Sequence, residues 1–161
     1  MIRTITAQDA PTIVDLAVAA DLFPAEESGI VAQMMTDYFT AAAADGHACL
    51  VDEHDGRLVG VAYYEPLPAT DRTWELTMIG VDRDHHRQGR GTRLLHAVEN
   101  DLRTRHQRLL LIQTSALPAF DRARAFYRTC GYDEEARVRD YYETGDDMIM
   151  FRKALTPPVT R

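Results

Sequence analysis

Residues 78–95 read MIGVDRDHHRQGRGTRLL, an apolar stretch typical of a strand, then a polar loop, then the start of an amphipathic helix. The first amides of a helix have no acceptor within the helix, and the helix dipole makes that end positive. Gly89 and Gly91 let the backbone approach a ligand closely, and the neighbouring arginines can donate charge-assisted hydrogen bonds. The segment therefore predicts a phosphate or pyrophosphate site.

Two common phosphate-binding loops do not fit this segment. A Walker loop has Lys followed by Ser or Thr after its second glycine, and this segment has neither pair. A dinucleotide-binding loop has a third glycine at the position of Leu94. From the residues alone, the alternative is a solvated surface loop whose glycines only turn the chain.

Outward from this segment, hydrophobic periodicity predicts the element order β-α-α-β-β-β-α-β-α-β-β. Thr73–Val81 is the strand before the loop, and Leu109–Ile112 is a continuous apolar run after the helix, as expected of a strand covered on both faces. The apolar face of that helix consists of Leu94, Leu95, Val98 and Leu102. Because a helix connects the two strands, they should pair in parallel, while hairpins make the rest of the sheet antiparallel. We expect an α/β (α+β) fold with a mixed, mostly antiparallel sheet flanked by helices.

The N-terminal part is predicted to hold two helices and a hairpin. Asp9 is the expected N-cap of the first helix. The second helix is predicted over residues 25–44, and the Asp55-Gly56 turn joins two strands. The predicted apolar stripe of the second helix consists of Ile30, Met34, Tyr38 and Ala41. We predict one domain over residues 1–155 and a short C-terminal tail over 156–161.

Composition and charge narrow the functional class. Of the 161 residues, 45% are hydrophobic and 27% charged, which argues against disorder. The net charge of −7 argues against a nucleic-acid partner, since such proteins carry a basic excess. The longest apolar run, residues 16–20, is too short for a membrane helix, and the first residues lack a signal-peptide core. We expect a cytoplasmic protein that does not bind membranes.

The sequence also bears on metal binding, on disulfides and on the kind of organism that the protein comes from. His85 and His86 are adjacent and no HExxH motif occurs, so we predict no metal site. Cys49 and Cys130 are too few for a disulfide framework. Lys153 is the only lysine among 18 basic residues, a bias that indicates a GC-rich genome, and we expect a bacterial protein.

Two motifs carry a family resemblance. Residues 86–91 read HRQGRG, and residues 123–132 read ARAFYRTCGY. They resemble two signatures of the GNAT family of N-acetyltransferases, Arg/Gln-x-x-Gly-x-Gly/Ala and Ala-x-x-Phe-Tyr-x-x-x-Gly-Phe/Tyr. This sequence departs from the family pattern at His86, where the family has Arg or Gln, and at Phe120, where it often has Asn. The resemblance covers essentially the whole chain and implies the GNAT fold and acetyl-CoA as co-substrate.

The resemblance also implies which residues hold acetyl-CoA. The loop residues expected to contact its phosphates are Arg87, Gln88, Gly89, Arg90, Gly91 and Thr92. Pantetheine is expected to lie along Ile79 and Val81 like an added strand. A backbone N–H near Ile79 would then face the acetyl carbonyl and stabilise its oxyanion.

Tyr127 and Glu75 are the candidate catalytic residues, and each has a second interpretation. Tyr127 shares an apolar helical stripe with Phe120 and Cys130, which is typical of core packing. The resemblance instead implies that its hydroxyl protonates the departing CoA thiolate. Glu75 lies on the strand before the loop, where the resemblance implies a base that deprotonates the amine. The alternative for Glu75 is an ordinary solvent-facing strand residue.

The sequence therefore predicts an acetyl-CoA-dependent N-acetyltransferase that acts on a small-molecule amine by direct attack in a ternary complex. Two alternatives stay open, a non-catalytic acyl-CoA sensor and an acetyltransferase of protein or peptide amines. The resemblance implies an acceptor site walled by residues 21–27 and 139–147, where acidic and aromatic side chains suit an amine. A homodimer is compatible with the sequence.

Overall fold

The computed structural model describes residues 1–155, and the predicted tail 156–161 lies outside them. The helices are α1 (Ala10–Ala19), α2 (Ser28–Asp37), α3 (Arg90–Thr104) and α4 (Asp121–Thr129). The strands are β1 (Ile2–Thr4), β2 (Ala48–His54), β3 (Arg57–Pro66), β4 (Thr73–Val81), β5 (Leu109–Ser115), β6 (Asp133–Glu143) and β7 (Asp146–Ala154). This order of helices and strands is the predicted one.

The strands form a seven-stranded sheet in the order β1-β2-β3-β4-β5-β7-β6. The pairs β1–β2, β2–β3, β5–β7 and β6–β7 are antiparallel. Strand β4 pairs with β5 in parallel, from Thr73 opposite Leu109 to Leu76 opposite Ile112. The predicted mixed, mostly antiparallel sheet with one parallel strand–helix–strand unit is confirmed.

The chain divides into two compact units. The first comprises Met1–Pro66 and Thr77–Asp101. The second comprises Leu67–Leu76 and Leu102–Arg161, of which the residues up to 155 are described. The single domain expected over residues 1–155 stays a prediction.

The first unit has helices on both faces of its strands. Its core joins side chains of α1, α2, β2, β3 and β4, among them Ile13, Val31, Met35, Val61 and Met78. On the opposite face, α3 buries Leu94, Leu95 and Val98 completely. A Cβ at Gly60 of β3 would lie 3.4 Å from Leu94 Cδ2, so the missing side chain lets α3 approach the strand closely.

The second unit is built around β5 and β7. Leu110, Ile112, Ile149 and Phe151 are almost completely buried there, which is the burial expected of a central strand pair. All eleven residues of β6 are exposed, as befits the last strand of the sheet. The apolar run on β5 is therefore buried mainly on one face, because Leu109 and Leu111 keep intermediate exposure.

The second helix differs from its prediction. α2 begins at Ser28 after a 3₁₀ turn and ends at Asp37, and residues Tyr38–Ala42 form a π-type turn. Its buried side chains are Val31 and Met35, followed by Tyr38 in the π turn. The predicted stripe was wrong at its two ends, because Ile30 is 52% exposed and Ala41 is exposed, while Met34 is partly buried against the core. Two neighbouring apolar stripes fit one helix, and packing selects the β-branched Val31 for the core.

The N-terminal cap also differs. Asp9 precedes α1, but its side chain makes no capping hydrogen bond to this helix. Its carboxylate instead accepts from the backbone N–H of Thr6 at 2.7 Å and from the Arg3 guanidinium at 2.8 and 3.0 Å. The Thr6 contact completes a capping box on the 3₁₀ turn before α1, and the ion pair with Arg3 ties this turn to β1.

Candidate active site

The segment after β4 folds back onto the end of its strand. The Asp82 carboxylate accepts from the backbone N–H of Asp84 at 2.9 Å and starts a 3₁₀ turn over Arg83–His85. His86 Nε2 lies 2.7 Å from the carbonyl oxygen of Val81. The residue that departs from the family pattern thus closes the loop on β4. The contact is made to Val81, one of the two residues along which pantetheine is expected to lie.

The turn into α3 has the backbone shape expected of an anion site. Arg87 and Gly89 both adopt positive φ angles, 60° and 70°. At Gly89 this conformation has little steric cost, because glycine has no Cβ. The N–H of Arg93 donates to the carbonyl of Gly89 at 3.0 Å. The amides of residues 90–92 therefore lie before this first helical bond, at the positive end of the helix dipole. Arg87, Gln88 and Arg93 are exposed, so their polar groups are accessible to a phosphate.

Arg90 is buried, and its guanidinium is committed to Asp52. Its Nη1 lies 2.8 Å from Asp52 Oδ2, and both side chains are less than a tenth exposed. The N-terminal ammonium of Met1 lies 3.3 Å from the other carboxylate oxygen. Burial favours protonation of Asp52, but the Arg90 and N-terminal charges outweigh it and hold the pKa of Asp52 below its ordinary 3.8. A ligand can therefore contact the backbone amide of Arg90 but not its side chain.

This ion pair predicts a stability effect. We expect Asp52→Asn to lower the free energy of unfolding by about 1–3 kcal/mol at pH 7, because the buried Arg90 loses its charged acceptor. Since the folded-state pKa is depressed, the contribution of Asp52 is complete above pH 3.8 and is lost as pH falls through the folded value. Urea unfolding at pH 7 and at pH 3 measures both. Asp55→Asn is the control, because the Asp55 side chain is 89% exposed. Equal stability of both variants at pH 7 contradicts the assignment.

The loop between α1 and α2 is fastened to β4 within the first unit. A Cβ at Gly80 would meet the Leu22 side chain at 2.7–2.9 Å, so Leu22 sits directly on this glycine. Next to it, the Arg83 guanidinium forms an ion pair with Asp21. One of the two loops predicted to wall the acceptor site therefore packs against the strand predicted to hold pantetheine.

Tyr127 lies in the second unit with a buried ring. It is 7% exposed and packs against Phe126, Tyr132 and Phe151 at ring-centroid distances of 5.4–6.3 Å. Burial, with a smaller contribution from Cys130, raises the pKa of Tyr127 to about 12. Its hydroxyl makes no hydrogen bond within residues 1–155. Tyr127 is thus a protonated phenol whose proton is not donated to another residue.

The start of α4 is fixed by Arg124, which positions Tyr127 one turn later. Arg124 is buried and donates to the carbonyl oxygens of Ser115 and Leu117 and to the Asp121 carboxylate. Phe120, expected on the same stripe as Tyr127, is 43% exposed, because the helix begins only at Asp121.

Glu75 lies on the part of β4 that belongs to the second unit and is partly exposed. Tyr142 in the last hairpin is close enough to feel its charge. Burial first, then the charges of Tyr141, Asp146 and Glu75, raise the pKa of Tyr142. The Ser115 hydroxyl donates to Asp146 in the same hairpin. The charge of Glu75 thus acts on the last hairpin, which also carries Tyr141 and Asp146.

A groove in the first unit was not anticipated from the sequence. It has a volume of about 690 Å³ and lies along α2, the π turn, β3 and β4. Its polar side chains include Asp37, His47, Tyr63 and Glu65, none of which belongs to a motif. A volume of this size is within the range of small-molecule sites.

The described residues 1–155 contain neither an arrangement of metal ligands nor a membrane-spanning helix. No group of three or more His, Cys, Asp or Glu side chains is placed to hold a metal ion in this part of the chain. No helix in the same range is long and apolar enough to cross a membrane.

Comparison with known proteins identifies the fold and the family. A protein of Desulfovibrio desulfuricans assigned to the GNAT family has a crystal structure with a TM-score of 0.91 and 29% identity, over 97% of this chain and 99% of that chain. An aminoglycoside 6'-N-acetyltransferase complexed with coenzyme A has a TM-score of 0.83 at 17% identity, covering 99% of each chain. The ribosomal-protein-S18-alanine N-acetyltransferase of Escherichia coli has a TM-score of 0.79 at 21% identity, over 99% and 96% of the two chains. No curated protein matches the sequence.

The family model matches most of the chain. The model described as acetyltransferase (GNAT) family covers residues 14–132, which include both motifs and the loop into α3. The open amides, Gly89 and the exposed arginines fit the phosphates of acetyl-CoA, the co-substrate of this family. The chain belongs to the GNAT family of acetyl-CoA-dependent N-acetyltransferases, as its two motifs predicted.

Proposed function

We propose that this protein transfers the acetyl group of acetyl-CoA to the primary amine of a small molecule, by direct attack in a ternary complex. The observation that carries the proposal is Tyr127, a buried, protonated phenol whose hydroxyl has no partner within residues 1–155. A module that only binds acyl-CoA has no use for such a proton donor, whereas cleavage of a thioester does.

The chemistry assigns one proton transfer to each candidate residue. An ammonium ion has no lone pair, so Glu75 first takes its proton, directly or through water. The neutral amine then attacks the thioester carbonyl carbon, a C–N bond forms and the C–S bond breaks. The amine loses its second proton to solvent as the amide forms, and Tyr127 protonates the departing thiolate. The products are the N-acetyl amine and CoA with a free thiol.

The remaining assignments concern acetyl-CoA itself. The amides of residues 87–92 would bind its phosphates, and Arg87 and Arg93 would add charge-assisted hydrogen bonds. Strand β4 continues beyond Leu76, its last residue paired with β5, and this continuation includes Ile79 and Val81. Their backbone would pair with pantetheine.

The experiment is release of free thiol from acetyl-CoA across a panel of amines. The panel should contain small monoamines, an aminoglycoside and a peptide with a free N-terminal alanine. Turnover with a small amine supports the proposal, and turnover with the peptide alone favours a protein acetyltransferase. Tight binding of acetyl-CoA without thiol release from any amine favours the sensor alternative.

Glu75→Gln gives a prediction on pH dependence. We expect the acetylation rate to fall about tenfold at neutral pH, less than for a full loss of general-base catalysis, because solvent also accepts the amine proton. Raising the pH should partly restore the rate, since more of the amine is then already neutral. A pH–rate profile measures both effects, with the exposed Glu135→Gln as control. A profile that overlays that of the parent enzyme removes Glu75 from the mechanism.

A further inference from the structure

Gln88, in the loop before α3, has both of its oxygen atoms covered by arginine side chains. Arg93 Nη1 donates to the backbone carbonyl oxygen of Gln88 at 3.1 Å. Arg90 Nε donates to the side-chain Oε1 of the same residue at 3.3 Å. The two oxygen atoms of Gln88, which would otherwise repel a phosphate, therefore both accept a hydrogen bond from a guanidinium group.

The contact with Arg90 decides which end of the Gln88 amide faces outwards. A guanidinium group has only donors, so the atom that faces Arg90 must be Oε1, and the NH₂ group on the other side of the amide carbon is left free. The residue is exposed, and within residues 1–155 neither its side-chain NH₂ group nor its backbone N–H donates to another residue. Gln88 thus presents donors to a ligand and keeps its acceptors occupied.

The backbone on either side of Gln88 places these donors beside the start of α3. Arg87 and Gly89 both have positive φ angles. Turns of this kind are typical of anion-binding loops, in which successive N–H groups line one concavity. The free NH₂ group of Gln88 therefore lies next to the amides of residues 90–92 that precede the first helical bond.

Arg90 can orient Gln88 because Asp52 fixes its guanidinium. Arg90 Nη1 lies 2.8 Å from Asp52 Oδ2, and both side chains are less than a tenth exposed. One guanidinium group thus bridges a buried carboxylate with Nη1 and the exposed Gln88 amide with Nε. Because its charge is already paired, the Arg90 side chain can act on a phosphate mainly through Gln88.

We propose that Gln88 binds a phosphate of acetyl-CoA through its side-chain NH₂ group, and that Arg90, held by Asp52, is a positioning residue that keeps this group turned outwards. The inference rests on the proposed function, in which residues 87–92 bind the phosphates, and it deepens that function by separating a contact from its support. The two polar side chains on either side of Gly89 therefore have different roles. Gln88 touches the phosphate, and Arg90 acts through Gln88.

A double-mutant cycle on acetyl-CoA affinity, measured by calorimetry, tests both roles. Gln88→Met keeps the length of the side chain and removes the amide, so we expect the Kd to rise about tenfold, the lower end of the effect of losing a hydrogen bond to a charged group. Arg90→Lys keeps a cation for Asp52 but has no donor in place of Nε, so the Gln88 amide can turn its oxygen outwards. We expect this variant to raise the Kd by about three- to tenfold. Gln8→Met, at another exposed glutamine, is the matched control and should keep the parent affinity.

The double variant distinguishes a positioning role from a general structural one. Arg90→Lys should have no further effect once Gln88 is Met, whereas a residue that supports the loop in another way weakens binding equally in both backgrounds. Acetylpantetheine gives a second readout, because it carries the thioester but no phosphate. With an amine that supports thiol release, both variants should raise the KM for acetyl-CoA, leave kcat unchanged, and leave the KM for acetylpantetheine unchanged.

The outcomes separate this inference from the proposed function. Parent affinity in Gln88→Met overturns the inference, and continued thiol release then leaves the function standing. Additive effects in the cycle overturn the role of Arg90. If Arg90→Lys does not fold, ¹⁵N NMR of the parent decides, since the Gln88 side-chain NH₂ signals should shift with acetyl-CoA and not with acetylpantetheine, and signals that stay in place overturn the inference. If the parent binds acetyl-CoA but releases no thiol with any amine, the function fails while the calorimetric cycle still decides this inference, and a parent that does not bind acetyl-CoA overturns both.

Discussion

Tyr127→Phe is expected to lower kcat by about 10²–10⁴-fold, the range observed when a general acid is lost. The substitution removes only the hydroxyl and keeps the ring that packs against Phe126, Tyr132 and Phe151. Because that hydroxyl has no hydrogen-bond partner within residues 1–155, its removal breaks no contact of the fold. Acetyl-CoA affinity and the free energy of unfolding should therefore change little.

The measurement is kcat from thiol release at saturating amine and acetyl-CoA, with affinity from calorimetry on the same preparations. Tyr132→Phe is the matched control, since Tyr132 is also buried and its ring centroid lies 6.3 Å from that of Tyr127. The parent rate should also hold well above neutral pH, because a pKa of about 12 keeps Tyr127 protonated there. Full activity of Tyr127→Phe assigns the residue to packing alone.

Sequence reasoning succeeded where the signal is local. The strand, loop and helix over residues 73–104 could be predicted because a β period changes to a helical period around two glycines. The amphipathic stripe of α3 leaves no alternative face, and Leu94, Leu95, Val98 and Leu102 are indeed fully buried. In α2 the pattern is broader, and the choice between the stripes of Ile30 and Val31 depends on the strands beneath it. Tertiary packing makes that choice, and it leaves Ile30 beside the groove.

Partners distant in sequence explain what could not be predicted. Arg90 belongs to a motif that predicts phosphate contacts, yet its guanidinium lies on Asp52, 38 residues earlier in the chain. Asp52 itself sits at an irregularity of the hairpin, where the register shifts between Asp52 and Glu53. The motif gives no sign of the bulge or of Asp52. The role of the Arg90 side chain could therefore not be predicted from the motif.

The same bulge explains why the acidic groove could not be predicted from the sequence. Counting back from the Asp55-Gly56 turn, with His54 opposite Arg57, an unbroken hairpin would place His47 opposite Tyr64. The one-residue shift pairs Ala48 with Tyr64 instead, which brings His47 beside Glu65. Because side chains alternate between the faces of a strand, one residue of register decides whether two groups meet. The only sign of this contact in the sequence was that both strands of the hairpin have polar residues at their open ends.

Gly89→Glu is expected to weaken acetyl-CoA binding by more than about 100-fold, which corresponds to about 2.7 kcal/mol. The new carboxylate would stand among the amides that face the phosphates and repel them, and a side chain at φ 70° adds backbone strain. Calorimetry with acetyl-CoA measures the loss, and Gly89→Ala separates the strain from the charge because it introduces only the former. Gly56→Glu is the matched control, since Gly56 has φ 74° in a hairpin turn with no atom within 4 Å of an added Cβ. Gly56→Glu should keep the parent affinity, and a folded Gly89→Glu protein that also keeps it would place the phosphates of acetyl-CoA somewhere other than the start of α3.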